Sequence, residues 1–126
     1  MAQVKDTYRT ITPYLLVSNA DAELTFLKNA FDASEVQCHR NPDNTVMHAE
    51  VAVGDSLVML GQAGGQWTPR QAAFYLWVKD VDATYARALA NGASSESAPE
   101  DKPYGHRNAG VIDQSGITWW IAAPVA

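Results

Sequence analysis

His48 and Glu50 stand two positions apart in Met47-His48-Ala49-Glu50-Val51. On a β-strand, residues at that spacing share a face. An imidazole beside a carboxylate can supply two of the three or four protein ligands that a divalent ion needs. Tyr75 and Trp77 repeat the spacing in Ala73-Phe74-Tyr75-Leu76-Trp77, and Tyr14 and Trp120 lie in two further apolar runs. Aromatic faces hold planar rings, or a cation through the ring quadrupole. Arg107 offers a planar fork for a carboxylate or phosphate. Trp67 lies in the glycine-rich stretch 61–71, where it can serve as a lid.

These residues need strands to aim them. Ile11 to Val17 is β-branched and aromatic, with Pro13 near its start, and reads as an edge or beginning strand. Leu24, Leu27 and Phe31 recur at helical spacing, with Ser18 or Asn19 as cap. Strands follow over 33–39, 46–53 and 56–60. In the second of these, Met47, Ala49, Val51 and Val53 form the side expected to face a helix. Residues 61–71 carry three glycines and a proline and no periodicity, so they read as a linker. Beyond it come a strand over 73–78, a helix with Val81, Tyr85, Ala88 and Leu89 on one side, and an Asn91-Gly92 stop. A weak strand or loop over 93–99 precedes a hairpin turning at Asp113-Gln114-Ser115-Gly116.

The second half repeats the first. Val17-Ser18-Asn19-Ala20-Asp21-Ala22 resembles Val78-Lys79-Asp80-Val81-Asp82-Ala83 at an offset of 61, Phe31-Asp32-Ala33-Ser34 resembles Asn91-Gly92-Ala93-Ser94 at 60, and Ser56 and Ser115 both sit in hairpin turns at 59. The expected class is therefore α+β, a single domain over 1–126 made of two βαβββ modules, about 10–60 and 72–123. Helices would cover the convex side of two cupped mixed sheets, leaving the concave side for a ligand. The hairpin offset of 59 sets Arg107 opposite His48.

With these landmarks in order, the sequence resembles the glyoxalase/bleomycin-resistance/dioxygenase family, the vicinal oxygen chelate superfamily. The resemblance rests on Ile11-Thr12-Pro13-Tyr14-Leu15, Met47-His48-Ala49-Glu50-Val51, Gly54-Asp55-Ser56, Val78 to Ala83, Asn91-Gly92-Ala93, Tyr104-Gly105-His106-Arg107 and Asp113 to Trp119, and spans about residues 10–123. It implies a homodimer with ligand sites in the cups. In the family's metalloenzymes, His and Glu side chains on the strands hold a divalent ion. At the corresponding positions this chain has Thr12, Glu50, Ala73 and Trp120, of which only Glu50 is a metal ligand. The resemblance therefore implies a member without metal or other cofactor, of the drug-binding, antibiotic-resistance kind. The alternative is a metal-dependent lyase, epimerase or dioxygenase using His48 and Glu50. The chain also departs from the family pattern: Asp32 stands for a glycine after Phe31, His106 for an acid, and Gln114-Ser115 for Pro-Phe.

By strand phase, the candidate ligand-binding set is Tyr14, His48, Glu50, Trp67, Tyr75, Trp77, Arg107 and Trp120, with Trp119 assigned to the core. Plain structural readings stand beside the functional ones. The aromatics can fill core or dimer interface, His48 and Glu50 can pair with each other or with Arg107, and Trp67 can pack across a dimer.

Bulk composition narrows the partners. Nine basic against fourteen acidic residues give a net charge of −5, which disfavours nucleic acid and tolerates a cationic guest. Cys38 is the one cysteine, so no intrachain disulfide forms and a reducing compartment is expected. No apolar run is long enough to span a membrane, and the beginning MAQVKDTYRT lacks an apolar signal core. The expectation is a cytoplasmic protein that binds a small molecule.

Overall fold

The computed structural model describes residues 8–125. Two units of one design follow each other, with the division at Arg70 and Gln71; residues 29–31 group with the second unit. The first contains β1 (Tyr14–Val17), most of α1 (Ala20–Phe31), β2 (Ser34–Arg40), β3 (Val46–Val53) and β4 (Ser56–Gln62). The second contains β5 (Ala73–Trp77), α2 (Val81–Ala90), β6 (Ser94–Asp101), β7 (His106–Ile112) and β8 (Thr118–Pro124). The sheets have strand orders β1-β4-β3-β2 and β5-β8-β7-β6, with the first pair in each parallel and the others antiparallel. The fold is α+β, built from two βαβββ arrangements.

Local chemistry sets the ends of the elements. Asn19 and Asp80 each accept a hydrogen bond from the backbone N–H three residues on, at 3.0 Å, and so begin α1 and α2. Along α2, Val81, Thr84 and Ala88 turn one face inward. α1 ends on Asp32 in the left-handed region (φ 60°), and α2 ends two residues before Gly92 (φ 102°). The first strand is shorter than the sequence suggested: Ile11 is exposed, and pairing begins with Tyr14, because Pro13 has no N–H to give a ladder. Pro13 still contributes its carbonyl, which accepts from the Met59 N–H at 2.9 Å.

In the first unit Leu15, Val17, Ala49, Val51, Val58 and Leu60 are buried. In the second, Ala109, Val111, Ile117, Trp119 and Ile121 take that part. Trp119 is core as expected. Its ring lies 5.0 Å from Phe31 and 5.2 Å from Phe74 between centroids, and its Nε1–H donates to Asp113 Oδ2 at 2.8 Å. Buried Asp113 also accepts from the backbone N–H groups of Ser115 and Ile117, so the β7–β8 turn and the core tryptophan share one carboxylate. Among the described residues, no helix is long and apolar enough to cross a membrane.

Candidate functional site

The register of the first sheet aligns Tyr14 with Met59, Met59 with Glu50, and Glu50 with Gln37, so these four side chains share a face. His48 is on the same side, and its Nε2 is 2.8 Å from Glu50 Oε2. Tyr8, which precedes β1, donates its phenol to both Glu50 oxygens at 2.9 and 3.0 Å. Glu50 is therefore a buried carboxylate with its own set of donors. Burial pushes its carboxyl up, but hydrogen bonds from His48, Gln37 and Tyr8 together outweigh burial and hold it below its ordinary value. The same bond to Glu50, with burial second, pushes the Tyr8 phenol up.

Tyr14 is half-exposed, its ring 5.7 Å from the His48 ring. Gly61 permits that pose, since a Cβ there would lie 2.7 Å from Tyr14 Oη and 2.9 Å from the Met47 carbonyl oxygen. Beside Tyr14 opens a cleft of about 1000 Å³, whose lining includes Met47, Gln62, Trp67 and Arg70. Trp67 does not hang on a loose linker. Residues 64 and 67 exchange backbone hydrogen bonds of 2.7 and 2.9 Å around Gly65 (φ 58°), and this tight turn presents an indole that is 63 % exposed. Met47 corrects the expected alternation. The β2–β3 register steps from His39↔His48 to Arg40↔Val46, leaving Met47 as the extra residue of a bulge. Val46 takes the buried side, and Met47 is exposed at the cleft.

In the second sheet, Tyr75 aligns with Trp120 and Trp120 with Gly110, while Trp77 aligns with Ala122 and Ala122 with Asn108. Tyr75, Trp77 and Trp120 thus share one face, as the strand phase suggested. The Trp120 indole lies over Gly110, where a Cβ would come within 2.5 Å of Cζ3. Tyr75 meets Trp77 at 5.2 Å between centroids, and His106 meets Trp77 at 4.8 Å and Tyr104 at 5.1 Å, all three edge to face. Beneath them, buried Asn108 donates to the hydroxyls of Tyr75 (3.1 Å) and Tyr104 (3.0 Å).

Arg107 does not join this face. Its Nε and Nη2 donate to the Asp82 carboxylate on α2 at 2.9 and 3.0 Å, and Nη1 donates to Asp101 at 3.0 Å. These bonds to Asp82 and Asp101 raise the guanidinium, and the Arg107 bond likewise lowers Asp82. The placement opposite His48 is corrected by the register. Glu50 pairs with Met59 where Gly110 pairs with Trp120, so the counterpart of His48 is Asn108, one residue further on. A one-residue slip moves a strand residue to the other face. Sequence reasoning also missed Tyr8, Tyr104, His106, Asn108 and Asp113 as members of these networks. The corrected offset of 60 was the signal that would have found Asn108 and, two positions before it, His106.

The residues do not fit the family's divalent metal. Thr12, Ala73 and Trp120 bring no ligand, and both Glu50 oxygens already accept hydrogen bonds. Among the described residues, no three His, Cys, Asp or Glu side chains converge on a point.

Two mixed four-stranded sheets in one repeated order, each with aromatic residues on an open face, define a glyoxalase-type protein. The chain belongs to that family: the model of the Glyoxalase/Bleomycin resistance protein/Dioxygenase superfamily matches residues 8–121. An uncharacterised Mycobacterium bovis protein, Mb0911c, is 33 % identical over 91 % of this chain and 83 % of its own length. The crystal structure of TioX from Micromonospora sp. ML1 is similar at 26 % identity and TM-score 0.72, covering 94 % of this chain and 98 % of that one. A putative 3-demethylubiquinone-9 3-methyltransferase, PhnB protein, from Bacillus cereus shares the fold at TM-score 0.74 and 19 % identity, over 91 % and 99 % of the two chains.

Proposed function

We propose that this protein binds and sequesters a small aromatic or cationic molecule without a metal. The observation that carries the reading is the exposure of large aromatic side chains on ordered strands: Tyr14 50 %, Tyr75 42 % and Trp77 55 %. Apolar area of this kind left on a sheet face marks a binding surface more often than a solvated one. Trp67, presented at the cleft by its turn, serves as a wall over a guest beside Tyr14. The donor set around Glu50 supports a carboxylate that balances a cation rather than one that holds a metal. The protein acts as a homodimer, which sedimentation would check.

The test is tryptophan quenching by a panel of planar compounds, cationic and neutral, with elemental analysis of protein grown with added Fe, Zn, Ni and Mn. Saturable quenching by metal-free protein is the expected result. A stoichiometric ion that is lost in Glu50→Ala would instead favour the metal-dependent enzyme.

A further inference from the structure

The polar groups that line the cleft beside Tyr14 are mostly spent on one another. Gln62 accepts from the Ala20 N–H at 2.9 Å and donates to the Ser18 carbonyl. Asn41 donates to Thr45 Oγ1 at 3.0 Å, and the Thr45 hydroxyl and backbone N–H both donate to Asp43 Oδ1, at 2.6 and 3.0 Å. Arg70 differs. Its backbone N–H is fixed on the Leu16 carbonyl at 3.0 Å, and its Nη1 donates to the Thr68 carbonyl at 3.1 Å and to the Thr68 hydroxyl. Among the described residues its Nε and Nη2 make no hydrogen bond, and no carboxylate pairs with it. Arg107 shows what that edge of a guanidinium does with a carboxylate in reach: the same two nitrogens lie 2.9 and 3.0 Å from the Asp82 oxygens. Such a fork is stronger and more directional than a neutral hydrogen bond.

The rest of the cleft suits something flat. Trp67 and Tyr14 line it with 63 % and 50 % of their surface exposed, and its volume of about 1000 Å³ admits a small organic molecule. All of the lining belongs to the first unit, and buried Glu50 is not part of it. Asp43 is the opposite charge on the lining, and the topology holds it away from Arg70. Arg70 is tied to β1 at the sheet edge, whereas Asp43 lies in the turn between β2 and β3. β4 separates β1 from β3, which sets the two walls roughly 10 Å apart, two strand spacings. At that distance, about one screening length in physiological salt, Asp43 opposes an anion on Arg70 only weakly.

We propose that the first unit's cleft takes a flat aromatic carboxylate, its carboxylate on the Nε–Nη2 edge of Arg70 and its ring against Trp67 and Tyr14. This rests on the small-molecule reading above and names the class of guest for this cleft, aromatic and anionic.

The experiment follows the Trp67 indole N–H by ¹H–¹⁵N NMR during titration with 2-naphthoate, 2-naphthamide and 2-naphthylmethylammonium at neutral pH. These share one ring system; the second lacks the charge and the third reverses it. 2-Naphthoate should give a saturable shift at least about ten-fold tighter than 2-naphthamide, and the ammonium compound should be the weakest. Arg70→Gln should bring 2-naphthoate down to the level of 2-naphthamide without changing the latter. Arg70→Lys, which keeps the charge but not the fork, should fall between. Trp67→Leu, followed by calorimetry, should weaken 2-naphthoate about five-fold or more. Equal binding of 2-naphthamide, tighter binding of the ammonium compound, or a preference kept in Arg70→Gln overturns the role of Arg70, and the general reading survives if the planar panel still quenches. Full binding by Arg70→Lys overturns the fork, and no effect of Trp67→Leu overturns the place given to the ring. Silence of the Trp67 signal with every probe overturns the cleft as the site, and silence of the panel as well overturns both readings.

Discussion

In the first unit the residue across from Met59 is Glu50; in the second, the residue across from Trp120 is Gly110. One pair joins a flexible thioether to a buried acid, and the other joins an indole to a bare backbone. The neighbours follow suit. His48 answers Glu50 where Asn108 stands near the second sheet's rings, and Tyr8 donates to an acid that the second sheet lacks. The strand order is the same, so backbone pairing does not set this chemistry. The first face is organised around one carboxylate and its donors, and the second around aromatic area with an amide beneath it.

The turns differ as sharply, and there the largest effects are expected. Asp113 ends β7 buried, accepting from Ser115, Ile117 and the Trp119 indole, while its counterpart in the first unit, Val53, is simply apolar core. Asp113→Ala should orphan the indole N–H and two turn amides, with a loss of about 3 kcal/mol or more in denaturant unfolding. Val53→Ala should cost only about 1–2 kcal/mol, by cavity formation. Equal losses would mean that the carboxylate network adds nothing beyond packing. Next in size is Gly110→Ala. A methyl 2.5 Å from Trp120 Cζ3 must displace the indole, which should cost roughly 1–3 kcal/mol and change the Trp120 fluorescence.

Much of this contrast is legible in the sequence. The alternation of β3 from Ala49 onward, a cap for α1 at Ser18 or Asn19, the core role of Trp119 and the shared face of Tyr75, Trp77 and Trp120 all follow from local periodicity and side-chain chemistry. Arg107 was misplaced for a different reason. The two halves repeat at 59 to 61 residues, and strand faces alternate at every residue, so an uncertainty of one in the offset leaves the face undetermined. Met47 failed through a bulge, which no periodic pattern announces. The β6 sequence Ser-Ser-Glu-Ser-Ala-Pro-Glu-Asp has almost no apolar signal, because an edge strand with two register shifts is held by β7 and not by its own side chains. Tyr8 lay outside every motif, as its role depends on a bond to a residue 42 positions away.

Acid titration separates the faces more gently. Glu50 is held below its ordinary 4.5, so its contribution is fully present above about that pH and is lost as pH falls through its lower folded value. Glu50→Gln should therefore flatten the acid limb of the stability curve, and Tyr8→Phe should let the Glu50 carboxyl rise, seen by carboxyl NMR. Asn108→Asp gives the second sheet an acid without the first sheet's Tyr8 and His48. Its carboxyl should titrate above that of Glu50. If it titrates lower, the donors around Glu50 are not what sets the first face apart.

The smallest expected effect concerns the ends of the two helices. Asp32 occupies the left-handed region at φ 60°, where a Cβ costs roughly 1 kcal/mol, less for Asp than for most residues. Gly92 sits at φ 102° in the second unit, and a Cβ there would also meet Gln114 Nε2 at 2.5 Å. Asp32→Gly removes the strain but gives the unfolded chain more freedom, about 0.5–1 kcal/mol in the opposite sense. The net gain should be at most about 0.5 kcal/mol, read as a small rise in the denaturant midpoint with an unchanged slope. Gly92→Asp should lose on both counts, because it introduces the strain and displaces Gln114. A loss no greater than the Asp32→Gly gain would show that Gln114 gives way freely. The two stops would then differ only in which residue happened to be kept.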